Sequence, residues 1–204
     1  DPLVQAKLAK WQDLKFGLMM HWGTYSQWGI VESWSLCSED QPWCSRDGAN
    51  YVDYVREYEK LIETFNPTQF DPAHWATAAK DAGMKYVVFT TKHHDGFSMF
   101  DTQQTDYSVT GERCPFSKNS RANVTKEIFD AAAGLDIDTM DLLDIGGGFP
   151  GDDRGGITFA AIAQHVKTAL ATIWGADAAK LTVFAEPGRY FAHQVHTLAV
   201  NIIG

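Results

Sequence analysis

No stretch of this chain is long and apolar enough to cross a bilayer. The longest apolar runs are Tyr86–Phe89 and Leu198–Ile203, against the roughly 20 residues a spanning helix needs, so no membrane partner is expected. Basic charge is scarce as well: 17 Lys+Arg stand against 26 Asp+Glu, a formal charge of −9. That balance repels nucleic-acid backbones and anionic surfaces, and no basic run offsets it locally. Small molecules remain as the partner class. Cysteine is sparse and odd in number, Cys37, Cys44 and Cys114, with no CxxC pair and no His at zinc-finger spacing. No metal centre is therefore expected. Plain thiols are the favoured reading and a Cys37–Cys44 disulfide the alternative, because the redox context is not encoded. The chain begins at Asp1 without Met or an apolar leader, which reads as a processed or trimmed polypeptide of unknown compartment.

What is present is an ordinary globular composition, 204 residues with 45% hydrophobic and 21% charged, enough for one domain with a sizeable core. Phe16–His21 is a short apolar run ending in His-Trp-Gly, the pattern of a buried parallel strand opening into a loop. A long Trp-rich loop follows over Thr24–Asn50, and Trp28, Trp34 and Trp43 favour an ordered lid. Asp53–Phe65 reads as an amphipathic helix. A second helix begins at Asp71-Pro72, with Asp as N-cap and Pro at N1, and stops before Gly83. Lys85–Thr91 is the next strand, followed by a long polar loop from His93. Asn123–Ala133 carries one apolar helical face. Met140–Ile145 is the third strand, Thr158 caps a strongly periodic helix, and Leu181–Ala185 is the fourth strand. Arg189–His196 reads as helical and Thr197–Ile203 as a β-prone run.

Four strand-then-helix units predict an α/β domain with a parallel sheet. A closed eight-stranded (βα) barrel needs twice as many. The expectation is a TIM-barrel-like half-barrel spanning 1–204. Its open edges would be completed by a second copy, a two-fold homodimer.

Chemistry-bearing residues gather at strand ends in two groups. The first comprises Lys15–Ser26, Phe65–Trp75 and Lys85–Phe97, the last ending in Lys-His-His-Asp-Gly-Phe. In order and separation these motifs resemble the start of the α-L-fucosidase family of retaining glycoside hydrolases, over about Leu3 to Asp130. The resemblance implies that His21, His93 and His94 contact sugar hydroxyls, for which imidazole serves as donor or acceptor; taken alone, the same histidines read equally well as buried and hydrogen-bonded. It also implies a nucleophile Asp and an acid/base from later in the family's chain, for which no counterpart is found here.

The second group is Leu142–Gly151 with its Ile-Gly-Gly-Gly run, Phe184–Tyr190 with Glu-Pro-Gly-Arg-Tyr, and Thr197–Gly204. From about Gly134 these resemble the last barrel units of ornithine/diaminopimelate decarboxylases, which use pyridoxal phosphate. The resemblance assigns Gly146, Gly147 and Gly148 to one phosphate loop, Gly188 and Arg189 to another, and Glu186 to the pyridine nitrogen. Glycines let backbone N–H groups approach an anion, and a helix N-terminus favours negative charge. The family's Schiff-base lysine has no counterpart, and Lys92 is a weak substitute.

The two resemblances meet near Ile128–Gly134. The expected protein is an engineered chimeric scaffold without a complete natural site, requiring no cofactor but retaining affinity for phosphate or pyridoxal phosphate. A sugar-binding domain is the alternative, or a weak glycoside hydrolase acting through Glu186 with Asp95 or Asp144.

Overall fold

The computed structural model describes residues 2–37, 46, 50–135, 142–147, 149–150, 157–180 and 182–187. The chain divides into two compact units, Asp1–Thr139 and Met140–Gly204. The segments expected as a final helix and run, 189–196 and 197–203, lie outside the described residues.

The first unit opens with a helix that the sequence reading does not contain, α1 (Pro2–Leu14). It ends at Lys15, whose φ of +61° leaves the helical region. Strand β1 (Leu18–His21) follows. Just before it, Gly17 passes so close to Tyr86 that a Cβ would lie 2.4 Å from the ring, which would have to move to admit any larger residue. Helix α2 (Tyr51–Glu59) begins at Asn50, whose side chain accepts the Val52 N–H at 2.9 Å, and runs into a 3₁₀ turn over Lys60–Glu63. Helix α3 (Pro72–Asp81) starts as its sequence indicates: Asp71 accepts the His74 N–H at 3.1 Å, and Pro72 sits where no N–H is needed. Gly83, at φ +81°, turns the chain out of it. Strand β2 (Val87–Thr90) then lies parallel to β1, with Leu18 opposite Val87 and His21 opposite Thr90. Both strands therefore end at the same edge. Helix α4 (Val124–Ala133) is capped by Asn123, which accepts the Lys126 N–H at 3.2 Å. Ala79 of α3 and Ala132 of α4 are buried together, with Leu18 and Val87 against them.

The segment after His94 differs from the polar loop expected of it. Phe97, Met99, Val109, Cys114, Phe116 and Ala122 are all buried there, in one cluster with Ile62, Phe65, Phe70, Phe89, Val124 and Ile128. Its apolar residues have no period of 2 or 3.6, so patterning gives no signal. The backbone instead folds on itself, the Ser98 N–H donating to Tyr107 O at 3.1 Å and the Val109 N–H to Ser98 O at 2.8 Å. Burying each aromatic stabilises the unit by about 1.5–3 kcal/mol. The cysteines also depart from the favoured reading. Cys37 is disulfide-bonded, whereas Cys114 is a buried free thiol; Cys44 lies outside the described residues.

In the second unit, β3 (Leu142–Asp144) pairs in parallel with β4 (Thr182–Phe184). Helix α5 (Phe159–Trp174) makes the crossover between them, capped by Thr158, which accepts the Ala161 N–H at 3.1 Å. A 3₁₀ turn over Gly175–Lys180 leads to β4. Phe149 is buried and its ring lies 5.5 Å from that of Phe159. No residue of α5 is buried. Among the described residues the strands form two two-stranded parallel sheets, and no helix is long and apolar enough to cross a membrane.

Candidate functional site

The parallel register of β1 and β2 sets His21 beside the turn that carries His93, His94 and Asp95. The His21 and His93 rings meet edge to face with centroids 5.9 Å apart, and His93 and His94 are 4.8 Å apart. Trp34 lies against both of the latter, at 5.3 and 5.2 Å. All three histidines expected to act together are therefore brought together.

Sequence reading missed the carboxylate among them. Glu32 Oε1 lies 3.5 Å from His21 Nδ1 and its Oε2 lies 3.2 Å from His93 Nε2. Trp34 Nε1 donates to the same Oε2 at 2.6 Å. Glu32 holds this place with a φ of +49°, a left-handed conformation that costs a non-glycine residue about 1–3 kcal/mol and persists where surroundings enforce it. Ser33, fully buried, contacts His93 Nδ1 through its hydroxyl and accepts the Asp95 N–H at 3.3 Å. The available signal was a Glu-Ser-Trp triplet inside a long loop beside a strand end, where functional residues concentrate. Burial holds His93 below the usual imidazole pKa, reinforced by His94 and His21 and opposed by Glu32 and Asp95.

Asp95 serves the scaffold. It accepts the Tyr58 hydroxyl at 2.7 Å and the Phe97 N–H at 3.1 Å. Burial, then the Asp95 charge, pushes the Tyr58 phenol far above its usual range, so it remains a donor. Tyr25 is raised for the same two reasons. Lys92 is exposed, with its backbone bridged to Ser98.

In the second unit the two glycine-marked strand ends lie side by side. The Glu186 N–H donates to Gly146 O at 2.8 Å and the Ile145 N–H to Phe184 O at 2.9 Å. Gly146 has a φ of +70°, and a Cβ on Gly147 would meet Glu186 O at 2.8 Å. The glycines are thus required by the backbone itself. Asp144 accepts the Gly146 N–H at 2.8 Å, a loop-capping role, and Glu186 is exposed. Gly148, Gly188 and Arg189 lie outside the described residues. Of the residues expected at the phosphate, only Gly146 and Gly147 are described, and the Gly146 N–H is already taken by the Asp144 carboxylate.

Residues 1–141 match the model of the α-L-fucosidase family, and residues 116–193 that of the pyridoxal-binding domain of pyridoxal-dependent decarboxylases. A tissue α-L-fucosidase of Rattus norvegicus is 37% identical over 101 residues, which are 45% of this chain and 21% of that protein. A chloroplastic ornithine decarboxylase of Nicotiana glauca is 47% identical over 79 residues, 39% of this chain and 17% of that protein. The chain thus spans about a fifth of the length of each relative. Among solved structures, a GH29 α-L-fucosidase from Bacteroides thetaiotaomicron superimposes with a TM-score of 0.57 at 23% identity, over 91% of this chain and 41% of that one, a likeness of fold. The two matches overlap over 116–141, the interval that contains α4 and the expected joint.

Proposed function

Because the chain belongs to the α-L-fucosidase family through residues 1–141, we propose that His21, His93 and His94 retain one half of a sugar-contact site on a chimeric scaffold that does not hydrolyse its ligand. The observation that carries this reading is the Glu32 carboxylate held between His21 and His93. Two imidazoles and a carboxylate at one strand edge present donors and acceptors to the hydroxyls of a small sugar, and Trp34 offers an aromatic face beside them. Hydrolysis with retention needs two carboxyl groups about 5–5.5 Å apart. By the resemblance, both come from family strands that this chain replaces with decarboxylase-like sequence, and Asp95 is committed to Tyr58 and Phe97. Titration calorimetry with L-fucose tests the reading. Weak binding that His21→Gln and His93→Gln abolish is expected, with no turnover of a chromogenic fucoside above a Glu186→Gln control. Binding indifferent to both histidines overturns it.

A second reading is favoured by the apposition of Gly146 and Glu186: the decarboxylase-like segment retains affinity for inorganic phosphate or the phosphate of pyridoxal phosphate through Gly146–Gly148, Gly188 and Arg189. When bound, that cofactor would supply an electron sink, but the family's lysine for its aldehyde is absent from the matched segment, so binding is expected without chemistry. Phosphate-dependent thermal stabilisation that survives Arg189→Ala would refute the site. The reading of a recombined origin is supported by α4, which lies inside the interval where the two family matches overlap; an engineered joint there would keep the strand–helix alternation. Four such units make half of a barrel, and a second copy would close it. Light scattering at micromolar concentration is expected to give a dimer, and a monomer overturns that assembly.

A further inference from the structure

The trio at the first strand edge also has the donor set of a metal site. We propose that His21, Glu32 and His93 form a binding site for a divalent transition cation of the zinc class, with its remaining coordination positions left to water. One ring nitrogen of His21, one of His93 and a carboxylate oxygen of Glu32 all lie within 4.8 Å of one another. His93 Nε2 lies 3.2 Å from Glu32 Oε2, and His21 Nδ1 lies 3.5 Å from Glu32 Oε1. Zinc binds imidazole nitrogen and carboxylate oxygen at about 2.0–2.2 Å, and ligand atoms on a tetrahedron of that size stand about 3.4 Å apart. A modest inward shift of the Glu32 carboxylate therefore brings one oxygen into range of both rings. Two imidazoles and one carboxylate suit zinc and its neighbours over the oxygen-seeking magnesium and calcium, which demand more ligands.

The surroundings supply what a metal site needs beyond its ligands. Ligating histidines are oriented by a partner on the other ring nitrogen. His93 has one: buried Ser33 meets Nδ1, and that contact aims Nε2 at Glu32. Ser33 is itself fixed by the Asp95 N–H. The carboxylate is held by Trp34 Nε1 at 2.6 Å and by a backbone in the left-handed region. The ligand side chains are only 13–27% exposed, so the donors are gathered before the ion arrives. His94 lies outside the trio, its ring tilted against Trp34.

The full chain, freed of metal with a chelator and titrated with Zn²⁺ against a chromogenic competitor, tests this. One equivalent is expected to bind. Glu32→Gln and His21→Gln should each weaken binding by about tenfold or more, Ser33→Ala by about tenfold, and His74→Gln not at all. Co²⁺ in place of Zn²⁺ should give visible absorption without a sulfur-to-cobalt band, which excludes the Cys114 thiol as the ligand. Absence of one-equivalent binding overturns the site, as does binding unchanged in both Glu32→Gln and His21→Gln. Should one variant misfold by circular dichroism, the other and the cobalt spectrum of the unaltered chain decide the question. The proposal stands apart from the sugar reading: zinc binding without fucose binding removes only the latter, and fucose binding without zinc removes only the former. If both bind, Zn²⁺ displaces the sugar, since the same donors serve each.

Discussion

The two units follow the same local rules and reach different degrees of burial. In Asp1–Thr139, strands, helices and an irregular loop converge on a cluster in which Ile62, Val109, Cys114, Phe116 and Val124 have no exposed surface. In Met140–Gly204, α5 has an equally regular apolar periodicity and the same kind of capped start, yet none of its residues is buried, and Ile173 is 68% exposed. Periodicity states which face a helix would bury. Burial itself requires neighbours, and in the first unit much of that is supplied by a segment with no periodicity at all.

The largest test of this difference is a pair of truncations. Phe116→Ala should cost the first unit about 3–5 kcal/mol in denaturant unfolding, because its side chain is fully enclosed. Ile173→Ala should stay within about 0.5 kcal/mol. Equal costs would mean that the two units are packed alike, and would break the comparison. Next in size is a polar contrast. Tyr58→Phe removes the hydroxyl that Asp95 accepts at 2.7 Å inside the first unit and should cost about 1.5–3 kcal/mol, the range for a hydrogen bond to a charged partner. Asp144→Asn, at the exposed end of β3 in the second unit, should change stability by no more than about 0.5 kcal/mol. Chemical denaturation of the paired variants reads both.

Local signals carried most of the secondary structure. Asp71-Pro72, Asn123 and Thr158 mark helix starts by the chemistry of an oxygen acceptor ahead of unpaired N–H groups, and each accepts the bond that marks it. The three histidines were picked out by the family resemblance, and the parallel pairing of β1 and β2 brings the segments that carry them together. Glu32 was not. Its carboxylate reaches His21 and His93 only because the chain turns through a left-handed conformation at that residue, and no spacing rule anticipates a non-glycine there. The core role of Phe97 to Ala122 was hidden for a related reason: these side chains are buried by long-range packing, while their sequence order has no repeat. Helix α1 begins at Pro2, in the same Asp-Pro pair that marks α3, and was passed over all the same.

Removing equivalent caps sharpens the point that local energetics do not distinguish the units. Asn123→Ala at α4 and Thr158→Ala at α5 each delete an acceptor for a first-turn N–H. Each should cost about 1 kcal/mol, measured as a midpoint shift at unchanged denaturant slope. A Thr158→Ala variant with no effect would place α5 outside the cooperative transition, extending the contrast from packing to folding.

The smallest expected effect is linked to pH and belongs to the first unit alone. His93 is held below the ordinary imidazole value of about 6.5 by burial first, then by His94 and His21, with Glu32 and Asp95 pulling the other way. Its folded pKa is therefore depressed. Above about pH 6.5 the ring is neutral in both states and costs nothing; as the pH falls past that value the unfolded chain takes up a proton that the folded site resists, so stability declines. The opposing carboxylates keep the slope shallow. Urea midpoints of the metal-free chain between pH 7.5 and 5.5 should show the decline, and Trp34, whose ring lies against both His93 and His94, reports it by fluorescence. His93→Gln should flatten the His93 component while leaving the Thr158→Ala cost unchanged at either pH. Glu32→Gln should steepen it instead, because the main charge favouring protonated His93 is then gone. The opposite order of slopes would show that the acid sensitivity of the first unit arises elsewhere than at this strand edge.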